Sequence, residues 1–87
     1  MAEAAVSTPT IWRRRQVQHK VGLSRSTLYA RIAAGLWPKP VSLGVRAVGW
    51  PDFEVVEILA ARISGKTDDE VRALVACIEA RRVEGAR

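Results

Sequence analysis

Between Gly35 and Pro40 the run Gly35-Leu36-Trp37-Pro38-Lys39-Pro40 cannot be helical. Each proline removes a backbone donor and pushes the residue before it out of the helical region. This break separates two short helical patterns on its N-terminal side from a hairpin-like pattern and two further helices on its C-terminal side. With 87 residues in all, the chain has room for one domain and one modest core. It contains only three Trp, one Tyr and one Phe, so aliphatic side chains must form most of that core.

Local signals place the elements. The first helix is expected from Arg13 to about Val21, with Thr10 as a cap and Trp12 and Val17 as core contacts. Gly22 then permits a sharp turn. Ser24 is a good N-cap for a second helix, Leu28 and Ile32 share one of its faces, and Gly35 ends it. Val41-Ser42-Leu43 and Val48-Gly49-Trp50 flank the turn-prone Gly44-Val45-Arg46-Ala47 and read as a β-hairpin. A lone hairpin is marginal, so it must lie against the helices.

Pro51 suits the first turn of a third helix, and Asp52 and Glu54 suit its positive end. Val55, Val56, Leu59 and Ile63 are expected as its apolar face, with Gly65 as its C-terminal cap. Thr67-Asp68-Asp69-Glu70 matches a capping box, opening a fourth helix to about Val83. The expected fold is therefore mainly α with a small β-hairpin and four helices. Residues 1–11 read as a flexible N-terminal tail, 12–64 as the main domain, and 65–87 as a C-terminal helix.

Charge is distributed unevenly. From Ala4 to Pro51 there is no Asp or Glu, yet Arg13, Arg14, Arg15, Lys20, Arg25, Arg31, Lys39 and Arg46 lie there. From Asp52 onward eight acids accompany six bases. A wholly cationic half should attract a polyanion, and nucleic acid is the usual one, because each phosphate contact releases a condensed counterion. A solvated basic surface with no partner would have the same composition, so residue order must decide.

Two helices joined by Val21-Gly22-Leu23-Ser24 make a helix-turn-helix. The second would be the recognition helix, offering Arg25, Ser26, Thr27, Tyr29 and Ala30, with Arg31 at one flank and Ser24 at its start. Arginine can donate two hydrogen bonds to guanine, and hydroxyls can reach bases or phosphates. Ala30 lets the helix approach closely. An ordinary helical hairpin with Arg and Tyr facing water is the bland alternative. Surface helices usually mix charge signs, and this one has only positive charge. Lys39 and Arg46 flank the hairpin, where phosphate or minor-groove contacts are expected. Arg13, Arg14 and Arg15 suit phosphate at a helix N-terminus, although not all three are expected to face the same way. Trp37 and Trp50 border apolar segments and read as core pieces rather than stacking platforms.

The run Gln16-Val17 followed by Val21-Gly22-Leu23-Ser24-Arg25-Ser26-Thr27-Leu28-Tyr29 resembles AlpA-type phage regulators and related small excisionases. So do Gly35-Leu36-Trp37-Pro38-Lys39-Pro40-Val41 and Leu43-Gly44-Val45-Arg46-Ala47-Val48-Gly49-Trp50. The resemblance spans roughly residues 12–63. It implies a MerR-like winged helix-turn-helix fold, with Arg25 to Ala34 as the recognition helix and Val41 to Trp50 as the wing. It implies double-stranded DNA as the partner. Two roles fit: transcriptional control of phage or mobile-element genes, or a recombination directionality factor that bends DNA and recruits an integrase. The sequence departs from the family at Gln16, where an acid is usual, at Arg14, where a hydrophobic residue is usual, and at Ile58, near a customary tryptophan.

Catalysis is not expected. His19 and Cys77 are single and far apart, which excludes zinc-ligand spacing, and Glu54 and Glu57 read as a solvated helix face. No cofactor is implied. One cysteine, no apolar run of membrane-spanning length and no signal-peptide pattern suit a cytoplasmic, nucleoid-associated protein. The stripe Val71, Leu74, Val75 and Ile78 has two readings: it completes the core, or it pairs with a second copy, as a two-fold operator would require. A protein-interaction adaptor using that last helix is the alternative from another functional class.

Overall fold

Ile11–Arg13, expected as part tail and part helix, is a β-strand. The computed structural model of the chain describes residues 10–85. In order, the elements are β1 (Ile11–Arg13), α1 (Arg14–Val21), α2 (Arg25–Ala33), β2 (Val41–Gly44), β3 (Ala47–Pro51), α3 (Asp52–Ile63) and α4 (Asp68–Gly85). The hairpin is thus two strands of a three-stranded antiparallel sheet in the order β1-β3-β2. Ile11 pairs with Pro51, Trp12 with Trp50 and Arg13 with Gly49. Thr10, expected to cap α1, instead offers its carbonyl to the Asp52 N–H at 2.8 Å. The rest of the expected tail, residues 1–9, lies outside the described residues.

Gly49 explains why β1 can dock where it does. A Cβ there would sit 2.7 Å from Ile11 Cγ2 and 2.8 Å from the Trp12 carbonyl oxygen, closer than carbon atoms approach. Only glycine leaves room for the third strand. Four helices with this small sheet form a mostly helical, winged-helix-like domain.

Helix ends follow the local signals. Gln16 accepts a hydrogen bond from the Arg13 N–H at 2.9 Å, so α1 starts one residue later than expected. Gly22 closes α1 in the left-handed region, and the Leu23 N–H reaches back to the Gln18 carbonyl. The Ser24 hydroxyl accepts from the Thr27 N–H at the start of α2. Gly35 is also left-handed, and the Leu36 N–H bonds the Arg31 carbonyl at 2.8 Å. At α4 the box is complete: the Thr67 N–H donates to Glu70, and the Glu70 N–H donates to the Thr67 hydroxyl. These bonds hold the Glu70 carboxyl below its ordinary pKa, the backbone bond from Thr67 contributing most.

One core draws on every helix and on β3. Val17, Leu28, Trp37, Trp50, Val55, Ile58, Val71, Val75 and Ile78 are all buried in it. Trp50 donates from its indole Nε1 to the Pro38 carbonyl at 2.8 Å, which ties the non-helical link to the sheet. Val71, Val75 and Ile78 are buried in this core and Leu74 packs against it, so that stripe of α4 faces inward rather than outward toward a partner. The C-terminal helix is part of the same packed unit. Ile58 fills the centre of α3's inward side with an aliphatic side chain.

Two expectations for α3 are corrected. Its inward residues are Glu54, Val55 and Ile58, whereas Val56 and Ile63 are exposed. Both sets recur at helical spacing, so periodicity could not choose between them. The choice was hidden because the inward set includes a charge. Glu54, read as part of a solvated face, is 2% exposed. It receives both Nε and Nη2 of Arg82 in a bidentate pair, which compensates its lost hydration. Arg81 bonds Glu57 one turn along at 2.8 Å, and this bond raises the Arg81 pKa. With Arg62 bonded to Asp68, the pairs set α3 and α4 antiparallel.

Candidate nucleic-acid interface

The outer face of α2 is polar and free. Arg25, Ser26, Thr27, Tyr29 and Ala30 are exposed, and Arg31 is half-buried, while Leu28 anchors the helix from the opposite side. Ser26, Thr27, Ala30 and Arg31 line a shallow groove that Ala34 and Leu36 complete. The Ser24 hydroxyl lies 2.9 Å from that of Thr27 and 3.4 Å from that of Ser26, so three hydroxyls cluster at the helix start. Ser24 is committed to capping. Ser26 and Thr27 are exposed, and hydroxyls of this kind can meet a phosphate or base edge. Arg25 lies over the Tyr29 ring at 5.9 Å from its centroid, within cation–π range. That contact limits where the guanidinium can swing.

A second basic depression gathers residues from three elements. Arg13, Arg14, Arg15, Arg46 and Val48 line it together. All three consecutive arginines border it, Arg13 from the end of β1 and Arg14 and Arg15 from the start of α1. The Arg13 Nε donates to the Val48 carbonyl at 3.1 Å. Arg14 is held by Gln18 at 2.6 Å, and Arg15 projects into solvent. Arg46 sits in the hairpin turn with φ 60°, a left-handed backbone that costs a non-glycine residue roughly 1–2 kcal/mol. Lys39 stands apart at the other end of the hairpin. Its N–H donates to Glu79 of α4 at 2.8 Å, and its side chain is exposed.

None of the eight cations of the acid-free stretch joins an ion pair among the described residues. Lys20 meets only the face of Trp12, 4.7 Å from its centroid. Arg62, Arg72, Arg81 and Arg82, by contrast, all meet a carboxylate. Among the described residues, the arginines without a carboxylate partner therefore all precede Pro51 in the chain.

Sequence reasoning missed the residues that hold α2 in place from a distance. Arg72 on α4 donates from Nε to the Ala34 carbonyl at 2.9 Å, capping the C-terminal end of α2, and Asp69 orients it at 3.1 Å. No local signal marks that contact, since the partners lie 38 positions apart. Gly49 did carry a signal: a lone glycine inside an apolar strand pattern points to a close backbone approach. Among the described residues no group of His, Cys, Asp and Glu is placed to hold a metal ion, and no helix is long and apolar enough to cross a membrane.

Residues 10–63, more than half of the chain, match the family model described as the prophage CP4-57 regulatory protein (AlpA). The protein named uncharacterized protein ORF88 of Enterobacteria phage P4 is 47% identical over 51 residues, which cover 59% of this chain and 58% of that relative. The similarity thus spans less than two thirds of the relative's length. No solved structure matches the chain.

Proposed function

This chain belongs to the AlpA family of prophage regulatory proteins, and from that premise we propose that it binds duplex DNA sequence-specifically as a phage or mobile-element transcriptional regulator. The observation that carries the reading is the contrast in charge pairing. Among the described residues, the eight cations that precede Pro51 have no acid partner, and two of them, Arg25 and Arg31, lie on a helix whose outer face also carries Ser26, Thr27, Tyr29 and Ala30.

In this reading α2 enters the major groove and Arg25 reads a guanine edge. The hydroxyls of Ser26 and Thr27 and the flanking Arg31 contact backbone or bases. The hairpin serves as a wing. Arg46, with Arg13, Arg14 and Arg15, holds phosphates, and Lys39 adds one at the hairpin base. Phosphate contacts supply most of the affinity, and α2 supplies the sequence preference. The chain acts by occupying DNA and catalyses no reaction.

Selecting bound sequences from random duplexes tests this directly. A defined motif should emerge, and log affinity should fall with log salt at a slope of roughly −0.9 per phosphate neutralised. Weak binding equal for every sequence would point to a protein adaptor instead. Excision assayed with and without the protein, beside a reporter driven from the selected site, separates transcriptional control from integrase recruitment.

A further inference from the structure

We infer that the outward face of α3 pairs antiparallel with the same face of a second copy of this chain. Phe53, Val56, Ala60 and Ile63 are exposed there, Phe53 and Val56 at 55% and Ile63 at 85%. At about 100° per residue they fall within one narrow stripe, on the side of α3 opposite Val55 and Ile58. No charged residue interrupts the stripe. A helix that is apolar on two opposite faces is normally covered on both. Within the described chain, α3 is covered on one.

The spacing identifies the occupant. Steps of three, four and three residues separate the four positions, so the stripe reads the same from either end. Laid antiparallel on itself, it sets Phe53 against Ile63 of the second copy and Val56 against Ala60. Large meets large at the ends and medium meets small at the centre, the self-match a two-fold interface needs. Charge agrees. Asp52 stands at one end of the helix and Lys66 just past the other, and neither is ion-paired among the described residues. Antiparallel pairing brings each Asp52 toward the Lys66 of the other copy and opposes the two helix dipoles.

Size sets the strength. A 12-residue helix is roughly 18 Å long, so one stripe covers far less than the roughly 800 Å² per partner of a stable complex. The pair is therefore weak in dilute solution and forms at high protein concentration or when two copies are held close together.

The test uses the full chain without DNA, so it stands apart from the duplex-binding reading. Sedimentation equilibrium from micromolar to millimolar protein should show reversible dimers at the upper end of the range. Val56→Asp, at an exposed site, should remain monomeric at the same concentrations with an unchanged thermal melt. Orientation is read by mixing Phe53→Cys with Ile63→Cys, each carrying Cys77→Ser to remove the exposed native thiol. Mild oxidation should then give the mixed disulfide in preference to either symmetric one, since like positions lie roughly 15 Å apart along the axis. A wild-type chain monomeric at every concentration overturns the inference. So does a Val56→Asp chain that still dimerises, or cross-linking dominated by symmetric products.

Discussion

Arginines in the two halves of this chain live under opposite conditions. In α3, α4 and their connection each of Arg62, Arg72, Arg81 and Arg82 meets a carboxylate, and the Arg82 pair is largely buried. Among the described residues, Arg13, Arg14, Arg15, Arg25, Arg31 and Arg46 of the first half meet none. The same side chain thus fastens helices together in one region and remains available to an outside anion in the other. Where an arginine is matched by an acid, its removal should be felt in stability. Where it is not, its removal should be felt in binding.

The sharpest way to break that contrast is Arg82→Ala. It strands a Glu54 carboxylate that is 2% exposed, and removal of one partner from a buried pair costs about 3–5 kcal/mol. Chemical denaturation should show a loss of that size; a loss below about 1 kcal/mol would make the pair a surface one. Gly49→Ala comes next and probes the first half for a structural dependence of its own. The added methyl collides with Ile11 and the Trp12 carbonyl, and overpacking of this kind costs about 1–3 kcal/mol. A thermal melt should drop, and the Arg13 bond to Val48 should loosen with β1.

Arg25→Ala should leave the melt within about 0.5 kcal/mol of the parent, because the residue is exposed and joins no ion pair among the described residues. Its loss should appear as about 1–3 kcal/mol of specific DNA affinity, with non-specific binding less affected. Equal losses on both would remove Arg25 from a base-reading role. Arg46→Ala should weaken all duplexes alike and reduce the salt slope by about 1, without altering site preference. Unchanged affinity would mean that the hairpin is not a working wing.

The smallest effect concerns pH in the paired half. Glu70 has its pKa lowered in the folded chain, by the Thr67 backbone bond first and the Thr67 side-chain bond second. A carboxyl depressed on folding contributes stability that is present above its unfolded pKa and lost as pH falls through the folded value. The capping contribution is therefore intact at neutral pH and disappears below the ordinary value of 4.5. Glu70→Gln keeps an acceptor for the Thr67 N–H and should flatten the acid limb of a stability–pH curve; an unaltered limb would assign it to other carboxyls.

Several elements were legible because their signals sit within a few residues of the effect. Ser24 caps α2 through Thr27, and Thr67 and Glu70 cap each other. Gly22 and Gly35 end helices by adopting a left-handed φ. The exposed side of α2 followed from the placing of Leu28, which had to face the core. The start of the sheet was not legible in the same way. Three residues, Ile11 to Arg13, are too few to show an alternation, and their partners lie about 40 positions later. Glu54 misled for a related reason: a carboxylate reads as solvated until its arginine, 28 positions away, is known.

By itself the amino-acid sequence determined where helices begin and end, where the chain must turn, and that one half carries only positive charge. Those properties depend on backbone chemistry and neighbours a few residues apart. Tertiary structure alone decided which face of α3 is buried, that Arg13, Arg14, Arg15 and Arg46 share one depression, and that Arg72 closes the end of α2. These depend on groups distant in sequence meeting at a few ångströms, and helical periodicity has two equally good answers until packing selects one.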